Sequence, residues 1–302
     1  AETPLSALAL AKLALEAGLP EGLFNVVVGS DAPKIGKVLT SHPDIAKFTF
    51  TGSTKTGKIL TEQCASTVKR VSMELGGNAP FIVFADADLD AAAQALFNAK
   101  FRNCGQTCIS PNRIYVHKDV VASFADSLIA HLQTLKQGSG ENKSNNLGCL
   151  IHTAAAKNVH SIVSGAISEG ATVMFGGLSQ QPSDSFYPPT MLGNVNHGME
   201  ITKKEIFGPV LALVPFETDE EVIAYANDTE FGLASYFYTQ SVQRLFTVSE
   251  ALEYGMVGAN DTMISNTVAP FGGIKQSGYG KEGSKYGLDD YLNIKYICLG
   301  GN

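Results

Sequence analysis

Two thiols four positions apart, Cys104 and Cys108 in FRNCGQTCIS, and two carboxylates beside glycines, Glu74 in MELGGNAP and Glu205 in EIFGPV, are the residues best suited by type to chemistry. The cysteine spacing admits three readings: a redox pair, half of a metal site, or one nucleophile beside an unrelated thiol. Cys108 stands after Gly105 at a bend, where free backbone amides lower a thiol's pKa and donate to an oxyanion. Cys104, one turn earlier, is more simply a packed thiol. A cysteine that forms a thioester needs a base to activate the hydrolytic water. Glu74, at the predicted end of a strand, has the type and the place for that role, although a solvated strand-end glutamate reads the same. Glu205, at another strand edge, suits a ligand hydroxyl or a plain surface turn.

FTFTGSTKTGK (48–58) runs from an apolar strand through Gly52, Ser53 and Thr54 into a helix, where backbone amides and the Ser53 hydroxyl suit a phosphate oxygen. Its spacing matches neither the Walker pattern nor G-x-G-x-x-G, so an ordinary capped turn is the simpler reading of this stretch alone. APFGGIKQSGYGKEGSKYG (269–287) is too rich in glycine and too ordered in its polar residues to be a spacer.

The bulk properties narrow the field. Cys64, Cys104, Cys108, Cys149 and Cys298 are odd in number and scattered, no Cys-x-x-Cys occurs, and the six histidines form no close pair. Free thiols in a reducing compartment and no metal are the expectation. A net charge of -7 with no basic run argues against nucleic acid. No apolar run reaches the roughly 18 residues that cross a bilayer, and the first residues show no basic leader. The expected location is the cytoplasm, or the mitochondrial matrix where a leader has been removed.

The elements that must position these residues alternate. Helix spacing in TPLSALALAKLALEAGLP, with Thr3 and Pro4 as N-cap and first turn, is followed by FNVVVG (24–29) as a buried strand, a helix near 31–41, the strand 45–52, a helix near 54–66 and a strand within 68–77. The rhythm resumes with FIVF, a helix through DLDAAAQALFNAKFRN, RIYVH, and helices near 119–136, 153–170, 217–227 and 241–254 between the strands 210–216, 234–239 and 256–260. This is an α/β chain with a parallel sheet and no internal repeat. Few strands precede the FTGS turn for a doubly wound domain, which suggests the later part of a longer chain.

Taken in order, FTGS, MELGG, GQTC, EIFGP and PFGGIKQSG resemble the aldehyde dehydrogenase superfamily over the whole chain. Within it, ELGGNAPFIVF, KFRNCGQTC, NDTEFGLA and the tail GKEGSKYGLDDYLNIKYICLGG are most similar to the succinate-semialdehyde branch. The resemblance implies a partial Rossmann-type nucleotide-binding domain plus an α/β catalytic domain. It implies Cys108 as nucleophile and Glu74 as general base in the oxidation of succinic semialdehyde to succinate, through a thiohemiacetal and a thioester. Gly52, Ser53, Thr54, Lys55, Thr56 and Gly57 fall at the cofactor pyrophosphate. Leu75, Glu205 and Phe207 also fall at cofactor positions, the latter two at the nicotinamide ribose and ring, and Glu2 at the adenosine ribose. A carboxylate there repels a 2′-phosphate, so NAD is expected, with NADP the alternative. Arg102 and Ser265 match the positions that hold the substrate carboxylate, and an arginine fork suits that group; a cation helping a helix C-terminus is the plainer account of Arg102.

The alternatives are glutaric or another short semialdehyde, since one methylene is worth only about 1–3 kcal/mol in a pocket, or a truncated, catalytically silent module. Where the branch often has a second cysteine two places after the nucleophile, this chain has Ser110, so the familiar redox disulfide is not expected; Cys104 as its substitute is a hypothesis. The family's cofactor lysine, an oxyanion-hole asparagine and early strands fall before residue 1, so a fragment is expected, with apolar surface exposed. The expected division is 1–76 for the later half of the nucleotide-binding domain, 77–275 for the catalytic domain, and 276–302 for a return segment ending in YLNIKYICL, a strand used in assembling a homodimer or homotetramer.

Overall fold

The computed structural model describes residues 2–301. It contains two compact units, one of the residues up to Phe48 with Lys58–Val71, the other of Thr49–Gly57 with the residues from Ser72 onward. The first unit begins with α1 (Leu5–Glu16) and α2 (Ala32–Ser41). α1 departs from the expected cap: Pro4 occupies the N-cap position without a side-chain bond, and the helix starts on the Leu8 N–H to Pro4 carbonyl bond of 3.1 Å. A proline there fixes φ near its helical value and needs no N–H of its own. Leu5, Leu8, Leu10, Leu13 and Leu15 are all exposed. α2 has the side-chain cap that α1 lacks, with Asp31 accepting from the Lys34 N–H at 3.1 Å.

FNVVVG is a correction. Residues 24–28 form no strand, and Val27 is 78% exposed. β-branched composition favours a strand only where a neighbouring strand completes the ladder, and no ladder partner meets this segment among the described residues.

Three elements run through the boundary between the units along the chain: β1 (Lys47–Thr51), α3 (Thr54–Ala65) and β2 (Arg70–Glu74). The second unit continues with β3 (Ala79–Val83), α4 (Leu89–Phe101), β4 (Pro111–His117), α5 (Val121–Leu132), α6 (Thr153–Ser168), β5 (Thr172–Phe175), β6 (Thr190–Gly193), α7 (Glu200–Lys203), β7 (Val210–Phe216), α8 (Asp219–Asn227), β8 (Ala234–Tyr238), α9 (Val242–Ala251), β9 (Met256–Ala259), β10 (Gly278–Tyr279) and α10 (Tyr286–Asp289). The longer elements stand where apolar periodicity places them; β5, β6, α7, β10 and α10, each of two to four residues, lie below the length at which a period can be read.

Seven strands form one sheet in the order β5-β6-β7-β4-β3-β8-β9, parallel except for the edge pair β5/β6. Every residue of β3 and β8 is buried, as expected for strands covered on both faces. Register sets Phe81 opposite Ile114 and Tyr236, and Ile114 opposite Leu213, so the core is continuous across the four central strands. α4 begins at Asp88, whose side chain accepts from the Ala91 N–H at 3.0 Å, and packs Ala92, Ala93 and Leu96 inward. β10 pairs antiparallel with the end of β2, Gly278 opposite Glu74, outside the large sheet.

YLNIKYICL is a second correction: residues 291–299 form no strand, and Tyr291, Leu292, Ile294, Tyr296, Ile297 and Leu299 are exposed. An assembly strand takes its ladder from another chain, and this is a single chain.

Candidate active site

The segment after α4 is the most contorted part of the chain. Arg102 closes the helix at its C-cap, and Asn103 (φ 51°), Cys104 (φ 58°) and Gly105 (φ 77°) follow with three consecutive positive φ angles. Left-handed backbone at two non-glycine residues costs on the order of 1 kcal/mol each and persists only where the surroundings enforce it. The surroundings are visible. The Gln106 Oε1 accepts from the Ile151 N–H at 2.9 Å, its Nε2 donates to the Asn103 carbonyl at 3.1 Å, and the Asn103 Nδ2 donates to the Gln106 carbonyl at 3.0 Å. This kink also removes the helical i, i+4 relation of Cys104 to Cys108. Cys104 is buried with its Sγ 3.7 Å from the Gly148 carbonyl oxygen, and burial pushes its thiol up to about 12.

Thr107 to Ser110 then form a tight turn, closed by the Ser110 N–H donating to the Thr107 carbonyl at 3.0 Å, with Cys108 at its first corner. The backbone N–H groups of Cys108 and Ile109 lie next to the Cys108 sulfur and act to lower its pKa. Burial, and then the charges of Glu205 and Glu74, outweigh them and push the thiol up to about 11. The Cys108 carbonyl lies against Gly77, where any Cβ would collide with it.

Glu74 ends β2 and is 5% exposed, yet neither of its carboxylate oxygens has a hydrogen-bond partner among the described residues. Burial raises it to about 8, Glu282 adds to the rise, and Lys281 opposes it. Gly272 of the PFGG loop stands against it: a Cβ there would come within 2.8 Å of the Glu74 Oε1. The Thr107 and Ser110 hydroxyls are buried without a partner as well. Buried polar groups are normally satisfied, so a cluster of orphans around one thiol marks a place built to meet something else.

Glu205 is held instead of orphaned. Its Oε1 accepts from the Gly77 N–H at 3.1 Å, and the Asn112 side chain grips the backbone on both sides of it, donating to the Lys204 carbonyl at 2.8 Å and accepting from the Ile206 N–H at 3.1 Å. Burial raises Glu205 to about 7, against the Gly77 bond and the charge of Lys100. Lys100 is itself buried, donates to the Pro111 carbonyl at 2.9 Å, and is drawn down to about 7. Phe207, at φ 53°, turns out of this run.

One cavity of about 630 Å³ is lined by Gly52, Ser53, Glu74, Leu75, Arg102, Cys108, Glu205, Phe207 and Ser265, together with Gln106, Thr107, Ile109 and Phe271. The structure thus brings together nine of the residues singled out from the sequence, all within the second unit. The other residues of 52–57 continue from it into the first turn of α3. There the Ser53 Oγ accepts from the Thr56 N–H at 3.3 Å, the Thr54 hydroxyl donates to the Gln276 carbonyl at 3.0 Å, Gly57 packs on Leu75, and Lys55 is exposed. Glu2 is exposed in the first unit, ahead of α1. Glu74 lies at the carboxyl end of its strand, but Cys108 and Glu205 precede β4 and β7, so this site opens at the amino ends of the large sheet's parallel strands.

The chain matches the aldehyde dehydrogenase family over residues 1–297. It belongs to that family. It is 53% identical over 298 residues to the mitochondrial succinate-semialdehyde dehydrogenase of Oryza sativa subsp. japonica and 53% identical over 300 residues to the 3-sulfolactaldehyde dehydrogenase of Pseudomonas putida. Those matches cover 99% of this chain but 56% and 62% of the relatives, so the chain spans less than two thirds of the curated relatives it matches. Among solved structures, an E. coli NADP-dependent enzyme superposes with a TM-score of 0.96 at 52% identity, covering 99% of this chain and 62% of that one. The aldehyde dehydrogenase fold, with its Rossmann-like parallel sheet, is therefore the fold of this chain. No helix among the described residues is long and apolar enough to cross a membrane.

Sequence reasoning missed Lys100, Gln106, Asn112 and Glu282. Asn112 and Lys100 flank motifs that were read, but nothing in their local pattern shows that a polar residue inside a helix or strand will face a loop distant in sequence.

Proposed function

We propose that the protein of which this chain is part oxidises a short aldehyde carrying a distal carboxylate, succinic semialdehyde first, to the corresponding acid with a nicotinamide dinucleotide. The observation that carries this reading is the joint placement of the Cys108 thiol, a buried unpartnered carboxylate, and Arg102 with Ser265 in one cavity. Arg102 and Ser265 anchor the substrate carboxylate, leaving the aldehyde carbon to Cys108. Sulfur attack gives a thiohemiacetal, and loss of hydride gives a thioester. Glu74, as a carboxylate, takes a proton from the water that releases the acid. The nicotinamide cofactor supplies the hydride acceptor. Glu205, fixed by Gly77 and Asn112, and Phe207 offer a ribose-binding carboxylate and a ring surface, and the start of α3 from Gly52 to Gly57 offers amides for the pyrophosphate; these residues fit its nicotinamide and phosphate portions.

Glu2 as the adenosine-ribose carboxylate favours NAD, whereas the similarity to an NADP-dependent E. coli enzyme favours NADP. In this reading residues 1–76 belong to cofactor binding, 77–275 to catalysis, and 276–302 to the return segment and pairing of copies through 291–299. The protein acts as a homo-oligomer in the cytoplasm or the mitochondrial matrix. Glutaric semialdehyde is the second substrate, one methylene longer. The test is to follow absorbance of the reduced cofactor with succinic and glutaric semialdehydes and with NAD and NADP, using the full-length protein. Turnover that vanishes in Cys108→Ala and weakens chiefly in KM in Arg102→Ala supports the reading; turnover retained in Cys108→Ala, or no preference for a carboxylated aldehyde over an alkyl one, overturns it.

A further inference from the structure

The nucleophile turn is held from below by a residue outside the cavity lining. Tyr236 lies in the middle of β8, 1% exposed, opposite Phe81 on one side and Gly258 on the other. Its ring has no room to swing: the Phe81 ring centroid is 6.2 Å away, and a Cβ on Gly258 would come within 2.9 Å of the Tyr236 Cδ1. From this fixed base its hydroxyl donates to the Ile109 carbonyl at 2.8 Å. Burial raises the phenol's pKa, so the hydroxyl stays a donor at any working pH.

The peptide group between Ile109 and Ser110 is consequently pinned at both ends, its carbonyl by Tyr236 and its N–H by the Thr107 carbonyl. The peptide before it has its carbonyl against Gly77 and carries the Ile109 N–H that lowers the thiol's pKa. A turn this short has few torsions left once two consecutive peptide planes are fixed. Deleting the hydroxyl would leave a buried carbonyl unpaired and free the Ile109–Ser110 peptide plane, the neighbour of the plane that carries the Ile109 N–H.

We propose that Tyr236 is a positioning residue for the nucleophile: by holding the Ile109 carbonyl it fixes the turn that carries Cys108, and with it the backbone N–H groups beside the sulfur. This rests on the reading of Cys108 as nucleophile. The central strand of the sheet, and not the loop's own sequence, then sets the donor geometry at the thiol, as suits a site that needs placement to within about half an ångström.

The test needs no turnover. Modification of Cys108 by iodoacetamide is followed across pH by peptide mass spectrometry in the wild type and in Tyr236→Phe, with exposed Cys149 as internal reference. The expected result is a Cys108 rate curve displaced to higher pH in the variant, with about a tenfold lower rate at a fixed pH on its rising limb, and an unchanged Cys149 curve. An unshifted Cys108 curve overturns the proposal. So does a shift to lower pH, which means the turn has opened to water, or a parallel change at Cys149, which means general loosening. Should Tyr236→Phe fail to fold, replacing tyrosine by 3-fluorotyrosine strengthens the donor without changing the shape; the Cys108 curve must then move to lower pH, and no movement overturns the idea. If Cys108→Ala retained turnover, the nucleophile reading would fall while this comparison could still be made.

Discussion

Two buried charged sites in the second unit stand in contrast. Arg113, in β4 and 0% exposed, has each of its nitrogens occupied: Nε donates to the Asn78 carbonyl at 3.0 Å, Nη1 to the Tyr225 carbonyl at 2.9 Å and the Tyr115 hydroxyl at 3.3 Å, and Nη2 to the Ala226 carbonyl at 2.9 Å and the Tyr254 hydroxyl at 2.7 Å. Tyr225 and Ala226 belong to the last turn of α8, so a cation ties a helix C-terminus, where carbonyls lack partners, to the central sheet. Glu74 is almost as deeply buried and has no partner at either oxygen. One site uses its hydrogen-bonding capacity on structure; the other leaves it open, as the proposed reaction with water and substrate requires. The comparison teaches that burial of charge does not by itself distinguish a candidate site, whereas a buried carboxylate left unsatisfied in the cavity of a thiol does.

The largest effect should come at the open site. Glu74→Gln keeps the shape and removes the base, so turnover should fall by about a hundredfold to ten-thousandfold, while the protein gains about 1–2 kcal/mol of stability near pH 8. The sign follows from the raised carboxyl. Its folded value of about 8 lies above its ordinary 4.5, so its contribution to stability is complete below about 4.5 and is lost as pH rises through about 8. Denaturant curves of the variant and wild type should coincide near pH 4, below the ordinary 4.5, and separate toward pH 8; equal separation at both would break the comparison. Turnover limited by this base should rise through pH 8 in the wild type.

At the satisfied site the order reverses. Arg113→Met should cost about 3–5 kcal/mol of stability, since it strands the α8 carbonyls, while KM of the folded fraction stays unchanged. Thermal unfolding and steady-state kinetics together would show this, and a variant as stable as wild type would mean that the network is dispensable. Tyr254→Phe removes one acceptor for Arg113 and the donor to the Ala226 carbonyl, and should cost about 1–2 kcal/mol in the same assay. The smallest effect is expected at the rim, where the His197 Nε2 lies 2.9 Å from the mostly exposed Asp228 carboxylate and holds its pKa down. Asp228→Asn should cost less than about 1 kcal/mol at pH 7. The depressed carboxyl makes that difference disappear as pH falls below its ordinary 3.8, which urea titrations at pH 7 and pH 3 can check.

Much of this was legible in the chain. α4, β4, β7 and β8 are long enough for their apolar periods to declare themselves, and glycine beside a thiol or carboxylate marked the segments that meet in the cavity. FNVVVG and YLNIKYICL were misread because strand composition is local but a ladder is not. Cys104 reads from the sequence as a packed thiol one turn before Cys108, and its burial agrees, but the run of positive φ angles that separates it from Cys108 is not written in the local pattern.

The sequence by itself determined the alternation of elements, the family, and the identities of Cys108, Glu74, Glu205, Arg102 and Ser265 as a set, because residue type and spacing along a strand or turn are written locally. Only the tertiary structure decided which polar groups are spent and which are open. Glu74 is unpartnered, Arg113 is saturated, and Tyr236 reaches the Ile109 carbonyl across 127 positions because the order of strands in the sheet, and not the order of residues in the chain, chooses a buried group's neighbours.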